Sequence, residues 1–328
     1  MAGRGSRLRP HTLLTPKPLV SVAGKPIVQR LVEDLTKMCG KPVDEIAFVI
    51  GDFGKEVEEQ LKGIADSLGA KGTICYQNEP LGTAHAILCA EQALEGEVLV
   101  AFADTLVRAD FELDESKDGV LWVKQIDDPS SFGVIALDEN NTITDYVEKP
   151  TTFVSDLAMI GIYFFKDGAN LKSELQYLID NNIIKGGEYQ LPDALRNMTK
   201  KGLKFSPGEV SDWLDCGNKA VTVESNRRML ELIQDEELVN SSAKITNSVI
   251  IPPCFIGENA VIENSVVGPF VSVGADTNIT NSRVEDSIIQ QSTRIENANM
   301  IHSMVGQKAE WIENRKDLSI GDFSKYKA

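Results

Sequence analysis

The chain has 328 residues, a formal net charge of -16 and a pI near 4.7. That acidity disfavours nucleic acid and anionic membranes as partners, and no stretch approaches the ~18 apolar residues of a spanning helix. The scattered Cys39, Cys75, Cys89, Cys216 and Cys254 lack C-x-x-C spacing, which argues against a disulfide framework or zinc site and points to a reducing, cytoplasmic setting. The N-terminus carries Arg4, Arg7 and Arg9 but no apolar run behind them, so it does not read as a signal peptide.

In chain order, the first segment, "AGRGSRLRPHTLLTPKPL" (2–19), is rich in glycine and cations. Beyond it, Ile27, Leu31, Leu35 and Met38 fall at helical spacing. Residues 45–50 read as a buried strand. A helix over 55–68 carries Val57, Leu61, Ile64 and Leu68 on one face, and 72–76 is strand-like. Residues 83–94 read as helix and 97–104 as a buried strand. Strand alternating with helix predicts a layered α/β domain. Strands follow at 119–124, 133–137 and 142–147, the last two joined by a "DENN" turn (138–141). Next come a strand at 157–165 and helices near 171–181, 190–201 and 218–237. From about residue 243 the apolar positions Ile256, Ile262, Val267, Val273, Ile279, Ile295 and Ile301 recur, mostly five or six apart. Gly257, Gly268 and Gly274 follow three of them. Asn259, Asn264, Ser265, Asn278 and Asn281 occupy the gaps. That period predicts a parallel β-helix of hexapeptide repeats with about four coils. A loop-rich β-sandwich is the alternative.

The first segment carries the chemistry. Gly3 and Gly5 let backbone N–H groups approach phosphate oxygens, Arg7 can fork two of them, and Lys17 adds a compact charge. A cationic loop in so acidic a chain calls for a polyanion. It is not a Walker A loop, because no G-K-S or G-K-T follows the glycines. Nor is it G-x-G-x-x-G, because Leu8 stands where the third glycine belongs.

Residues 2–19 resemble the signature of the sugar-1-phosphate nucleotidyltransferases, the NDP-sugar pyrophosphorylases, and most of all their glucose-1-phosphate thymidylyltransferase-like branch. The matching pieces are G-x-G-x-R-L-x-P-x-T and the later P-K-P-L. "QNEPLGTAHA" (77–86), "FAD" (102–104), "FGVIALDENNTITDYVEKP" (132–150) and "WLDCG" (213–217) follow in family order. The resemblance spans roughly 1–235. It implies a Rossmann-like layered α/β nucleotidyltransferase domain with a mixed sheet over 1–238. A left-handed parallel β-helix at 243–305, as in some family members, and a charged tail at 306–328 would follow.

The resemblance also implies the site. Arg7 and Lys17 would be catalytic, with Gly3, Gly5 and Ser6 at the nucleotide phosphates. Gln77, Pro80, Gly82 and Thr83 would hold the base. Gly133, Glu148, Lys149 and Gly161 would hold the sugar phosphate, with Glu188 a weaker candidate. Asp104 and Asp215 would bind Mg²⁺, and Trp213 would pack beneath the metal turn. The implied substrates are a nucleoside triphosphate, dTTP or UTP for preference, and a sugar-1-phosphate, glucose-1-phosphate for preference. "LGTAHA" also resembles uridylyltransferases of amino-sugar phosphates, and His302 leaves open a second, acyl-transferring activity in the β-helix. A non-catalytic regulatory subunit is the remaining alternative. Homo-oligomerisation through the β-helix is expected. In the family a buried strand precedes the loop. Here Met1 directly precedes Ala2 and Gly3, so that strand is expected upstream of an internal Met1, with the start codon misassigned.

Overall fold

The computed structural model describes residues 3, 5–108, 117–314 and 316–325. They divide into two compact units: one holds Lys25–Asn218 with the residues up to Val20, the other Ser21–Gly24 with the chain from Lys219 onward.

In the first unit the helical spacing yields α1 (Ile27–Cys39), whose Ile27, Leu31, Leu35 and Met38 are all buried. The chain then runs through β1 (Glu45–Ile50), α2 (Lys55–Ser67) and β2 (Lys71–Tyr76), and β1 and β2 pair in parallel. The helix expected over 83–94 is shorter: α3 (Thr83–Leu88) gives way to a separate 3₁₀ turn, Glu91–Ala93. The strand expected to reach residue 104 ends sooner. β3 spans Val98–Ala101, and β4 (Thr105–Arg108) is a separate strand that the sequence reading missed.

The main sheet is built from β5 (Gly119–Gln125), β6 (Gly133–Leu137), β7 (Ile143–Glu148) and β8 (Leu157–Phe165). After α4 (Gly168–Asp180) and α5 (Leu191–Lys200) comes β9 (Phe205–Glu209). The strand order is β9-β5-β8-β6-β7, with β3 also pairing β8. The β5–β9 pair is parallel and the other pairs antiparallel, so the sheet is mixed. Alternation along β8 divides the core. Tyr163 and Phe165 join Leu121, Leu171 and Leu195 on one face, while Ile162 and Phe164 join Leu31, Leu61 and Trp122 on the other. A sheet buried on both faces leaves few polar positions in its central strands, hence the unbroken "LAMIGIYFF". Among the described residues β1 pairs only with β2 and β3 only with β8, so each keeps one edge without a strand. The strand expected ahead of the loop concerns Met1, Ala2 and positions before them, which lie outside the described residues.

In the second unit α6 (Lys219–Leu232) precedes a parallel β-solenoid of about four turns, consistent with the expected left-handed β-helix. Buried Asn226 ties the unit together: its Oδ1 accepts from Ala23 N (2.9 Å) and Ser272 Oγ (2.6 Å). Three columns face inward: Ile245, Ile262, Ile279, Ile295, Trp311; Ile250, Val267, Val284, Met300; and Ile256, Val273, Ile289, Val305. Ile301, expected in the core, is 53% exposed, and its neighbour Met300 takes the inward place. The corners need left-handed backbone, which asparagine tolerates best after glycine. Asn247, Asn259, Asn264, Asn281 and Asn297 all have φ near +50°. Serines stitch successive coils, Ser282 N donating to Ser265 Oγ and Ala298 N to Ser282 Oγ, each at 3.0 Å.

Candidate functional site

The glycine-rich loop is pinned from beneath. Leu8 is fully buried within a 3₁₀ turn, Ser6–Leu8, which leaves Gly3, Ser6 and Arg7 exposed. Gly5 has φ +55°, and a Cβ there would lie 3.0 Å from Lys17 Cβ, so its lack of a side chain lets the lysine close in. Thr12 Oγ1 donates to Gly5 O at 2.7 Å and holds the turn. Lys17 is itself only 8% exposed. A buried ammonium needs a partner, and Lys17 Nζ meets Asp104 Oδ2 at 3.2 Å.

β10 (Asp212–Asp215) runs antiparallel to β4, with Asp215 opposite Thr105, and Cys216 N donates to Asp104 O at 3.1 Å. The ladder therefore brings Asp104 and Asp215 to one end. Burial, above all, pushes the Asp215 carboxyl above the ordinary aspartate value. The Asp104 charge adds to that, while Lys17 and Arg7 pull the other way. A cleft of about 390 Å³ opens here, lined by Gly3, Gly5, Ser6, Arg7 and Lys17, together with Thr83, Phe102 and Asp104. Four stretches of sequence thus converge on one hollow holding two cations and a carboxylate, with Asp215 beside it.

The 77–83 loop flanks this cleft. Gln77 Nε2 lies 3.2 Å from Gly82 O and 3.1 Å from His85 Nδ1. Pro80 is exposed. Gly82 has φ 111° and ψ -179°. A Cβ on it would stand 2.5 Å from Tyr189 O, because the 188–191 segment lies directly against the loop. Tyr189 N donates to Leu81 O (2.8 Å), Ala84 N to Tyr189 O (3.0 Å) and Leu191 N to Thr83 Oγ1 (3.0 Å).

The β6–β7 hairpin carries the sugar-side candidates. Gly133 pairs with Glu148, and a Cβ on Gly133 would sit 2.8 Å from Glu148 Oε2, so the glycine makes room for that carboxylate. Burial raises the Glu148 carboxyl. Lys149 opposes this and the Glu188 charge reinforces it, which places Glu188 within electrostatic reach. Lys149, exposed at the strand end, lies 4.0 Å from Glu148 Oε1. Gly161 (φ +81°) stands where the β8–β5 register shifts. The Phe102 ring fills the space its side chain would take, and Phe102 N donates to Gly161 O at 2.9 Å. Trp213 meets Phe132 edge-on, centroids 5.0 Å apart.

With that geometry in place, comparison with known proteins is informative. A family model described as nucleotidyl transferase matches residues 1–231. The chain belongs to the nucleotidyl transferase family. It is 31% identical to the glucose-1-phosphate thymidylyltransferase of Streptomyces antibioticus over 98% of this chain and 96% of that one. It is 30% identical to the bifunctional protein GlmU of Methanocaldococcus jannaschii, over 76% of this chain and 57% of that protein. A crystal structure of UDP-glucose pyrophosphorylase complexed with UDP-glucose superposes with a TM-score of 0.58 and 24% identity, covering 70% of this chain and 96% of that one; this likeness concerns the fold. No helix among the described residues is long and apolar enough to cross a membrane.

In this nucleotidyltransferase several neighbours escaped the sequence reading. Arg196 Nε reaches Asp145 Oδ1 (2.9 Å), Nη1 reaches Asp193 Oδ1 (2.6 Å), and Nη2 donates to Tyr146 O. The base of the hairpin is thereby bolted to α5. Buried Tyr163, its phenol pushed well up by burial, also feels the charges of both Glu148 and Asp104. No motif announced these residues, since the contacts that tie Arg196 to Asp145 and Tyr146 join segments far apart in sequence.

Proposed function

We propose that this chain condenses a nucleoside triphosphate with a sugar-1-phosphate, giving a nucleoside-diphosphate sugar and pyrophosphate. The observation that carries the reading is the convergence of Arg7, Lys17 and Asp104 on one cleft that Thr83 of the base-side loop also lines, with Asp215 beside it. The sugar-phosphate oxygen attacks the α-phosphorus, a P–O bond forms, and the bond to the β-phosphate oxygen breaks with pyrophosphate carrying off the electron pair. Such a transfer needs positioning and charge neutralisation rather than a covalent enzyme intermediate. Arg7 and Lys17 face the triphosphate. Glu148 accepts from sugar hydroxyls and Lys149 meets the sugar phosphate. Gln77, with Pro80, Gly82 and Thr83, takes the base.

Asp104 and Asp215 fit a hard divalent cation: they are two neighbouring carboxylates, and the burial that strains ionised Asp215 is relieved by a positive partner. Mg²⁺ held by them supplies further charge neutralisation at the phosphates. UTP and dTTP with glucose-1-phosphate are the favoured pair. The test is a matrix of UTP, dTTP, GTP, CTP and ATP against glucose-, mannose- and N-acetylglucosamine-1-phosphate, with Mg²⁺ and coupled pyrophosphate detection. Release in a restricted set of cells supports the reading, and a folded chain silent in every cell overturns it.

His302 favours a second reading: its Nδ1 lies 2.6 Å from buried Asp286 Oδ2, an arrangement that orients an imidazole as a base. Thiol release from acetyl-CoA with an amino-sugar phosphate tests it, and no release rejects it. We also place the chain in a reducing, cytoplasmic setting, which its five free cysteines suit. Self-association would occur at the solenoid end, where Trp311 terminates an inward column yet is 51% exposed. Light scattering should find Trp311→Glu less associated than wild type. Equal mass removes this interface.

A further inference from the structure

Gln77 and His85 hold each other in one arrangement, and Gly82 decides which. Gln77 Nε2 lies 3.2 Å from Gly82 O. A backbone carbonyl can only accept, so the amide atom facing it is the NH₂ group. The same nitrogen lies 3.1 Å from His85 Nδ1. With an amide N–H pointing at it, Nδ1 must be the unprotonated, accepting nitrogen. The neutral ring then carries its proton on Nε2, which faces Cys89 Sγ at 4.0 Å. That sulfur can accept weakly, and burial holds the Cys89 thiol up, so it remains a neutral neighbour. Both Gln77 amide hydrogens are therefore directed inward. Its Oε1 accepts from no described residue and is the atom left for a ligand.

We propose that His85 is a positioning residue that, by accepting the second Gln77 amide hydrogen, secures the orientation which the Gly82 carbonyl selects, and thereby helps set which nucleobase edge the site accepts. This rests on the assignment of Gln77 to the base. His85 does not touch the nucleotide; it acts through Gln77. A free side-chain amide can rotate half a turn, exchanging donor for acceptor, and so read opposite base edges equally well. A locked one cannot. UTP and CTP are alike in size and phosphates but present inverted donor and acceptor patterns on the base edge, as do GTP and ATP. Discrimination within each pair is therefore the property that the lock confers.

The test uses the full chain with Mg²⁺. kcat/KM is measured for UTP against CTP and GTP against ATP, and Kd by calorimetry for the same nucleotides. His85→Leu removes the acceptor at similar bulk. His85→Asn restores an acceptor, its Oδ1, near the Nδ1 position. His85→Ala serves should the leucine variant misfold, because His85 is only half-buried at the helix edge. The expected result for Leu or Ala is a roughly tenfold fall in the preference within the discriminated pair, carried by the KM for the nucleotide. The KM for the sugar phosphate should be unchanged, and Asn should recover most of the preference. Unchanged discrimination in folded His85→Leu or His85→Ala overturns the proposal. Gln77→Ala, run in parallel, separates the two layers. If it also leaves discrimination unchanged, the assignment of Gln77 to the base is what fails. If it abolishes discrimination while the His85 variants keep it, only the role of His85 falls.

Discussion

Gly82 offers a way to weigh backbone strain against steric contact in this fold, because Gly54 is its natural control. Both precede the first residue of a helix and both lie in a backbone region that is essentially glycine's alone: φ 111°, ψ -179° for Gly82 and φ 84°, ψ 164° for Gly54. They differ in what surrounds them. A Cβ on Gly54 meets nothing within 4 Å, whereas one on Gly82 would lie 2.5 Å from Tyr189 O and 2.8 Å from Tyr189 N. Gly54→Ala should therefore show strain alone, about 2 kcal/mol. Gly82→Ala should add a clash with main chain that cannot swing aside, about 2 kcal/mol more. For a unit of this size that corresponds to melting points roughly 4–8 °C and 8–16 °C below wild type. Thermal melts followed by circular dichroism, with nucleotide KM measured alongside, check this. Since the displaced segment braces the 77–83 loop, the KM for nucleotide should rise in Gly82→Ala and stay level in Gly54→Ala. Equal melting points for the two variants would refute the reasoning, because the Tyr189 contact would then contribute nothing.

The remaining expectations concern charge and core. Arg7 is exposed and fills no core position, so Arg7→Ala should cost no more than about 0.5 kcal/mol of stability while lowering kcat roughly 10²–10³-fold; near-normal turnover would remove it from the transition state. Asp215 titrates above the ordinary value of 3.8, chiefly through burial. The folded chain thus binds its proton more tightly than the unfolded chain, and stability contributed by the protonated form is lost as pH rises through the raised value. Metal-free Asp215→Asn should then melt higher than wild type at pH 7, with the gap closing as pH falls below 3.8; a lower melting point at pH 7 contradicts that sign. In the solenoid, Ile279 is fully buried between Ile262 and Ile295, so Ile279→Ala should cost about 2–5 kcal/mol in urea unfolding. A loss below about 1 kcal/mol would mean that the column is not the core.

Periodic and local signals were legible in the chain itself. The helical stripe of α1, the apolar run of β8 and the five-or-six step of the solenoid each repeat a burial pattern, and burial is written side chain by side chain. The loop at 3–9, with Lys17 beyond it, was legible for a related reason: a cationic, glycine-rich stretch is conspicuous in a chain of net charge -16. What only the tertiary structure decided were relations between distant segments. Short strands such as β4 and β10 have too few residues to show a period, yet their pairing brings Asp104 beside Asp215. Met300 displaced Ile301 from the core because coil stacking, not hydrophobicity alone, sets which neighbour points inward. The carbonyl of Gly82 fixes the Gln77 amide, and Arg196 bolts Asp145 to Asp193, through hydrogen bonds whose partners and directions exist only once the chain has folded. A sequence records what each side chain can donate, accept or bury; which of those capacities meet is settled by packing.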